Sequence, residues 1–201
     1  MEKSSGKRLA GKKVAILATD GFEQSELIEP RKALMAEGAT CHVVSPKSGT
    51  LKGWKGGDWG DEVEVDRTLR EARPEEYAAL LLPGGVKNPD TLRMDPKAVE
   101  FVNAFVQAQK PIAAICHGPQ TLIETGMVRG KRMTSYASLK TDLKNAGATW
   151  VDEEVVVDRG LVTSRKPDDI PAFNAKMIEA FAETAVDRQA KRGNGAPLSV
   201  R

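Results

Sequence analysis

The chain has 201 residues, 40% of them hydrophobic, and its 30 basic and 28 acidic side chains leave a formal net charge of +2. That balance gives no electrostatic reason to expect nucleic acid or an anionic membrane as a partner, and the length suits one α/β domain rather than two. No apolar run approaches a membrane span and no signal-peptide core lies near the start, so the cytoplasm is the expected compartment.

Residues 1–12 are charged and polar and predict a mobile arm ahead of a single domain at 13–187. Val14–Ala18 reads as a buried parallel strand, followed by a loop, Thr19–Glu23. A helix comes next, with Leu27, Ala33, Leu34 and Met35 as its apolar positions and Gly38 as its stop. Pro30 predicts a kink there or the start of the regular part. Thr40–Ser45 is the second strand; its Cys41 and His42 read as core and structural groups. Residues 49–66, rich in Gly and Trp, predict a half-exposed excursion of hairpin type. A short helix near Glu75–Tyr77 precedes the buried strand Ala79–Leu82, and Pro83-Gly84-Gly85 then forms a loop whose backbone can approach a ligand closely. Residues 96–108 predict an amphipathic helix with Val99, Val102, Phe105 and Val106 inward. Beyond residue 130 the pattern predicts a strand at Lys131–Tyr136 and a helix at Ser138–Ala146. A hairpin around Asp158-Arg159-Gly160 and a last helix over Ile170–Val186 follow. Residues 188–201 lack periodicity and predict a loose tail. Strands alternating with helices predict a doubly wound, mostly parallel sheet sandwiched by helices.

Residues 111–126 change character in the middle. Pro111–Ile115 has the length and composition of a buried strand, and from His117 onward the pattern is helical. Cys116 sits at the junction, where a strand turns into a helix without a loop between them. Such an elbow strains its central residue and demands small neighbours, which Ala114 and Gly118 supply; Pro119 suits the first helical turn. A thiol there meets the positive end of a helix and unpaired amide groups, both of which lower its pKa. Cys116 is therefore the expected reactive cysteine.

A nucleophile of this kind needs an acid–base partner and donors for an oxyanion. Gly84 and Gly85 make a turn that can also be a nest, with the Gly85 N–H beside that of His117. Glu23 and Glu26 share a face at the opening of the first helix, where a partly desolvated carboxyl facing Cys116 would be protonated and act as an acid. The His117 ring needs an orienting carboxylate, for which Asp90, after the Gly85 turn, is the candidate. No grouping has metal-ligand spacing, and no cofactor is expected.

These residues resemble the DJ-1/PfpI superfamily, and within it the branch of intracellular protease PfpI and bacterial general stress proteins. The resemblance rests on Phe-Glu-Gln-Ser-Glu-Leu (22–27), Leu-Leu-Pro-Gly-Gly (81–85), Ala-Ile-Cys-His-Gly-Pro-Gln (114–120), Thr-Ser-Tyr (134–136), Lys-Asn-Ala-Gly-Ala (144–148) and Glu-Val-Val-Val-Asp (154–158). It implies a flavodoxin-like fold, Cys116 as nucleophile, Glu26 in contact with it, and Gly85 and His117 as oxyanion donors. It also implies a homodimer or larger homo-oligomer in which Asp90 reaches His117 of another subunit. The implied activity is cofactor-independent attack on small reactive carbonyls or glycated adducts, as in glyoxalases and deglycases. A peptidase and a redox sensor or holdase acting through Cys116 oxidation are the alternatives. A glutamine amidotransferase or α/β-hydrolase triad is excluded because no histidine follows His117.

Overall fold

The computed structural model describes residues 6–184 and residue 187. Its elements are β1 (Lys13–Leu17), β2 (Phe22–Glu23), α1 (Gln24–Ala36), β3 (Thr40–Ser45), β4 (Thr50–Lys55), β5 (Asp58–Glu64) and β6 (Arg67–Thr68). They continue with β7 (Ala79–Leu82), α2 (Lys87–Arg93), α3 (Pro96–Gln107), β8 (Ile112–Ile115), α4 (Pro119–Ile123) and β9 (Arg132–Met133). The last are α5 (Lys140–Asn145), β10 (Thr149–Trp150), β11 (Val155–Asp158), β12 (Leu161–Ser164) and α6 (Ile170–Ala182).

A seven-stranded sheet in the order β11-β12-β8-β7-β1-β3-β6 forms the centre, parallel except for the edge hairpin β11–β12. The strands β7, β8 and β12 are buried at every position, which matches their apolar runs and the burial of both faces. Alternate residues feed two cores. Val14, Ile16, Leu81 and Ile115 meet Leu27 and Leu34 of α1 and Phe173, Met177 and Phe181 of α6. Ala15, Leu17, Leu80 and Ala114 meet Phe101, Val102 and Phe105 of α3 with Leu122 of α4. The expected doubly wound sandwich is the fold observed.

Several local expectations need correction. Residues 7–12, expected within a mobile arm, dock onto the domain: Leu9 is fully buried, its N–H donates to the Glu37 carbonyl at 2.9 Å, and Lys12 Nζ donates to the Phe181 carbonyl at 2.8 Å. Residues 1–5, the end of the expected last helix at 185–186 and the expected tail at 188–201 lie outside the described residues. The strand expected over Lys131–Tyr136 shrinks to β9, paired in a separate two-stranded ribbon with β10. Beyond it, the Thr134 N–H donates to Thr163 Oγ1 and the Tyr136 N–H to the Cys116 carbonyl, so side-chain and elbow partners replace a ladder. In α3 the core face is Ala98, Phe101, Val102 and Phe105; Val99 and Val106 are only partly buried. The excursion at 49–66 is the hairpin β4–β5, and Pro30 lies within α1.

Burying Leu9 fully makes it a keystone of the docked segment. Leu9→Ala should lower the free energy of unfolding by about 2–5 kcal/mol, read from urea denaturation; an unchanged midpoint would return residues 7–12 to the status of an arm.

Candidate active site

The carboxyl ends of β1, β7 and β8 lie side by side, the edge at which open α/β sheets hold ligands. Cys116 follows β8 directly with a φ of 61°, in the left-handed region that is strained for a residue with a side chain. Two neighbours hold it there: the Cys116 N–H donates to the Ser164 carbonyl at 3.0 Å, and its carbonyl accepts from the Tyr136 N–H at 2.9 Å. The chain then enters α4 through Gly118 and Pro119.

Three glycines let other backbone segments close around this residue. A Cβ on Gly84 would lie 2.5 Å from Glu26 Oε2 and 2.6 Å from the Cys116 Cβ. One on Gly118 would lie 2.4 Å from the Leu82 carbonyl oxygen. At Gly85, where φ is 80°, it would lie 2.3 Å from the Gly21 carbonyl oxygen. The Gly84-Gly85 turn is therefore a tightly packed wall of the site, where the sequence suggested a loop whose backbone is open to a ligand.

Cys116 is 6% exposed and Glu26 is fully buried. The Gly84 N–H donates to Glu26 Oε2 at 2.9 Å, while Oε1 has no hydrogen-bond partner among the described residues. The carboxyl faces the Cys116 thiol. Burial, reinforced by the nearby Glu23, pushes the Glu26 carboxyl up to about 8, so it is protonated at neutral pH. Burial also raises the Cys116 thiol, as does Glu26 when ionised, whereas the N–H groups of Gly85 and His117 aim at the sulfur and lower it. The sequence expectation of a simply depressed thiol pKa is thus corrected, because desolvation outweighs the amide donors. Thiol and carboxyl titrate as a pair.

His117 Nδ1 lies 3.2 Å from Cys116 Sγ, and Nε2 lies 3.0 Å from Ser138 Oγ. The ring stacks on Tyr136 with centroids 4.7 Å apart. Burial lowers its pKa, so the imidazole is neutral at neutral pH. Glu23 is half-buried with a pKa raised by desolvation; its N–H donates to the Gly84 carbonyl at 3.3 Å. Asp90 is not on a loop but exposed on α2, lining a cavity of about 480 Å³ with Gly21, Trp54, Trp59, Val86 and Lys87. Within one chain it makes no hydrogen bond or ion pair with His117, whose ring nitrogens meet Cys116 and Ser138 instead. His42 pairs with the Tyr77 hydroxyl at 3.2 Å, the structural role expected of it.

Residues 12–180 match the DJ-1/PfpI family. The chain belongs to that family. Protein/nucleic acid deglycase 2 of Escherichia coli (strain K12) is 46% identical over 169 residues, 83% of this chain and 96% of the relative. General stress protein 18 of Bacillus subtilis (strain 168) is 46% identical over 170 residues, 84% of this chain and 96% of the relative. Among solved structures, a two-domain protein from Anabaena variabilis with DJ-1/ThiJ/PfpI-like and ferritin-like domains aligns with a TM-score of 0.80 at 36% identity. That alignment covers 87% of this chain and 49% of the other.

Two polar residues of this DJ-1/PfpI site were missed from sequence. Ser138 lies in the middle of a 3₁₀ turn as an ordinary-looking hydroxyl, and Asn88, fully buried on α2, looks like a turn residue in Lys-Asn-Pro-Asp. Among the described residues no group of His, Cys, Asp and Glu could hold a metal ion, and no helix is long and apolar enough to cross a membrane.

The Glu26 proton carries a stability signature. Its folded pKa of about 8 lies above the ordinary 4.5, so its contribution is complete below pH 4.5 and is lost as pH rises toward 8. The slope is at most about 1.4 kcal/mol per pH unit. In urea unfolding from pH 5 to 8, Glu26→Gln should remove this fall; parallel pH profiles for variant and wild type would show that Glu26 is not protonated in the fold.

Proposed function

We propose that the chain is a cysteine-dependent enzyme of the cytoplasm that acts on small reactive carbonyls or their glycated adducts, in the manner of a glyoxalase or deglycase. The observation that carries this reading is a fully buried Glu26 carboxyl facing the Cys116 sulfur, in a nest completed by the N–H groups of Gly85 and His117. The deglycase name of the 46% identical relative supports the substrate class.

Chemistry follows from those positions. Neutral His117 Nδ1, 3.2 Å from the sulfur, takes the thiol proton as sulfur attacks the aldehyde carbon of a 2-oxoaldehyde. The new C–S bond leaves negative charge on oxygen, which the Gly85 and His117 amides hold and the Glu26 carboxyl protonates, giving a hemithioacetal. Glu26, now a carboxylate, removes the hydrogen on the former aldehyde carbon as a proton and returns it to the adjacent carbon, while the hemithioacetal hydroxyl proton passes to the adjacent ketone oxygen, so that a 2-hydroxy thioester results. Water then cleaves the resulting thioester, releasing a 2-hydroxy acid and the free thiol. Substrate and one water account for every atom, so no external oxidant or reductant is required.

Lactate formation from methylglyoxal tests this. Wild type should turn over, Cys116→Ala should lose the activity, and Glu26→Gln should remain folded with a rate lower by about 10²–10⁴. A wild type that makes no lactate, or a Cys116→Ala variant that still does, would overturn the reading. Wild type without turnover but with Cys116 selectively oxidised by dilute peroxide would favour a redox sensor.

The same proposal includes a homo-oligomer in which Asp90 of one copy reaches His117 of another, displacing Ser138 from Nε2 and fixing the tautomer. Mixing inactive Cys116→Ala and inactive Asp90→Ala chains should then restore activity, because one site of each heterodimer carries neither substitution. Absence of recovery after verified subunit exchange would remove Asp90 from the site.

A further inference from the structure

We infer that Asn88 is the positioning residue that aims the Gly85 N–H at the Cys116 sulfur; this rests on the reading of Cys116 as the reactive thiol. Asn88 is fully buried, and all of its amide groups are engaged. Its Oδ1 accepts from the Thr19 N–H at 2.8 Å, and its Nδ2 donates to the carbonyls of Pro83 and Gly84, both at 3.0 Å. It therefore ties the end of β1 to the turn after β7, two segments that no ladder joins at this level.

The Gly84 carbonyl and the Gly85 N–H belong to one peptide unit. That unit is planar and trans, so the N–H points opposite to the C=O. Asn88 Nδ2 and the Glu23 N–H hold the carbonyl from one side. The N–H is thereby turned to the other side, where Cys116 lies. A glycine at φ 80° has no Cβ to resist rotation about its own bonds, so the orientation comes from these partners rather than from sterics. The bond from Asn88 also polarises the peptide, which strengthens the opposite N–H as a donor. Asn88 touches neither sulfur nor substrate; it works through Gly85.

A residue that merely supported the fold would change stability alone. One that aims a donor at sulfur changes the sulfur, because the Gly85 amide favours the thiolate. The measurement is the pH dependence of iodoacetamide alkylation at Cys116, followed by mass spectrometry with Cys41 as the internal control, in wild type, Asn88→Ala and Asn88→Asp. Asn88→Asp is nearly isosteric and keeps the acceptor for Thr19, but sets a carboxylate against the two carbonyls. Both variants should shift the Cys116 midpoint to higher pH and leave the Cys41 profile in place. Turnover of methylglyoxal should fall by about tenfold to a hundredfold in kcat, less than deletion of a donor outright, with KM little changed. In Asn88→Asp the loss should shrink as pH falls and the new carboxyl gains a proton to donate. Should Asn88→Ala fail to fold, Asn88→Asp carries the same comparison. An unmoved Cys116 midpoint in a folded variant overturns the inference, whatever its stability. Because alkylation requires no turnover, a wild type inactive on methylglyoxal would refute the proposed function and still leave Asn88 decided by the midpoint.

Discussion

Everything at the sheet edge depends on one close approach: the turn after β7 lies against the elbow after β8 with no side chain between them. Gly84 makes this possible, since any Cβ there would occupy the space of Glu26 Oε2 and the Cys116 Cβ. The left-handed backbone of Cys116 stores strain of about 1–3 kcal/mol. The flanking bonds to Ser164 and Tyr136 hold it, so the sulfur is presented by over-determined backbone rather than by a rotamer of a flexible loop. Once that geometry exists, the carboxyl of α1, the amide of Gly85 and the imidazole of His117 have one common target.

Burial then sets the electrostatics. Water would stabilise both a thiolate and a carboxylate, and this site withholds it from both, so thiol and acid each keep a proton more firmly than in solution. The amide donors are the counterweight: those of Gly85 and His117 act on sulfur, and that of Gly84 acts on the carboxyl. Cys41 illustrates the difference: burial raises its thiol to about 11, and the guanidinium of Arg31 offsets this only in part. Two cysteines of similar exposure thus differ in whether donors converge on them.

Much of this was legible in the sequence. Buried strands announce themselves as short apolar runs, and the switch from Ile115 through Cys116 to Pro119 marks the elbow. The helix opening beside the sheet edge offers both Glu23 and Glu26, and only the family resemblance singles out Glu26, which the structure buries facing the Cys116 thiol. What escaped detection was of a different kind. The helix α2 carries Pro89 and buries an amide, Asn88, instead of an apolar stripe, so its periodicity is weak. Leu9 docks through one side chain in a charged segment, which composition averages away. The orientation of the His117 ring depends on Ser138, twenty-one positions along the chain, and hydroxyls of that sort leave no local pattern. The net rise of the thiol pKa was misjudged because helix position is visible in sequence while desolvation is a property of the assembled interior.

The placement of the indole rings has an optical consequence. Trp54 and Trp59 sit nearly perpendicular, with centroids 5.5 Å apart, on the hairpin that shares a cavity with Gly21 and Val86. Trp150 donates to Ser135 Oγ at 2.9 Å, next to the Tyr136 amide that holds the elbow carbonyl. The 3 tryptophans of the chain therefore divide between the cavity at the β4–β5 hairpin and the segment that supports the elbow. Transition dipoles that close couple as excitons, and their rotational strength depends steeply on mutual angle. Near-ultraviolet dichroism and emission therefore report on the Trp54–Trp59 hairpin and on the Trp150 contact to Ser135, alongside the signals of Tyr77 and the phenylalanines packed on the sheet.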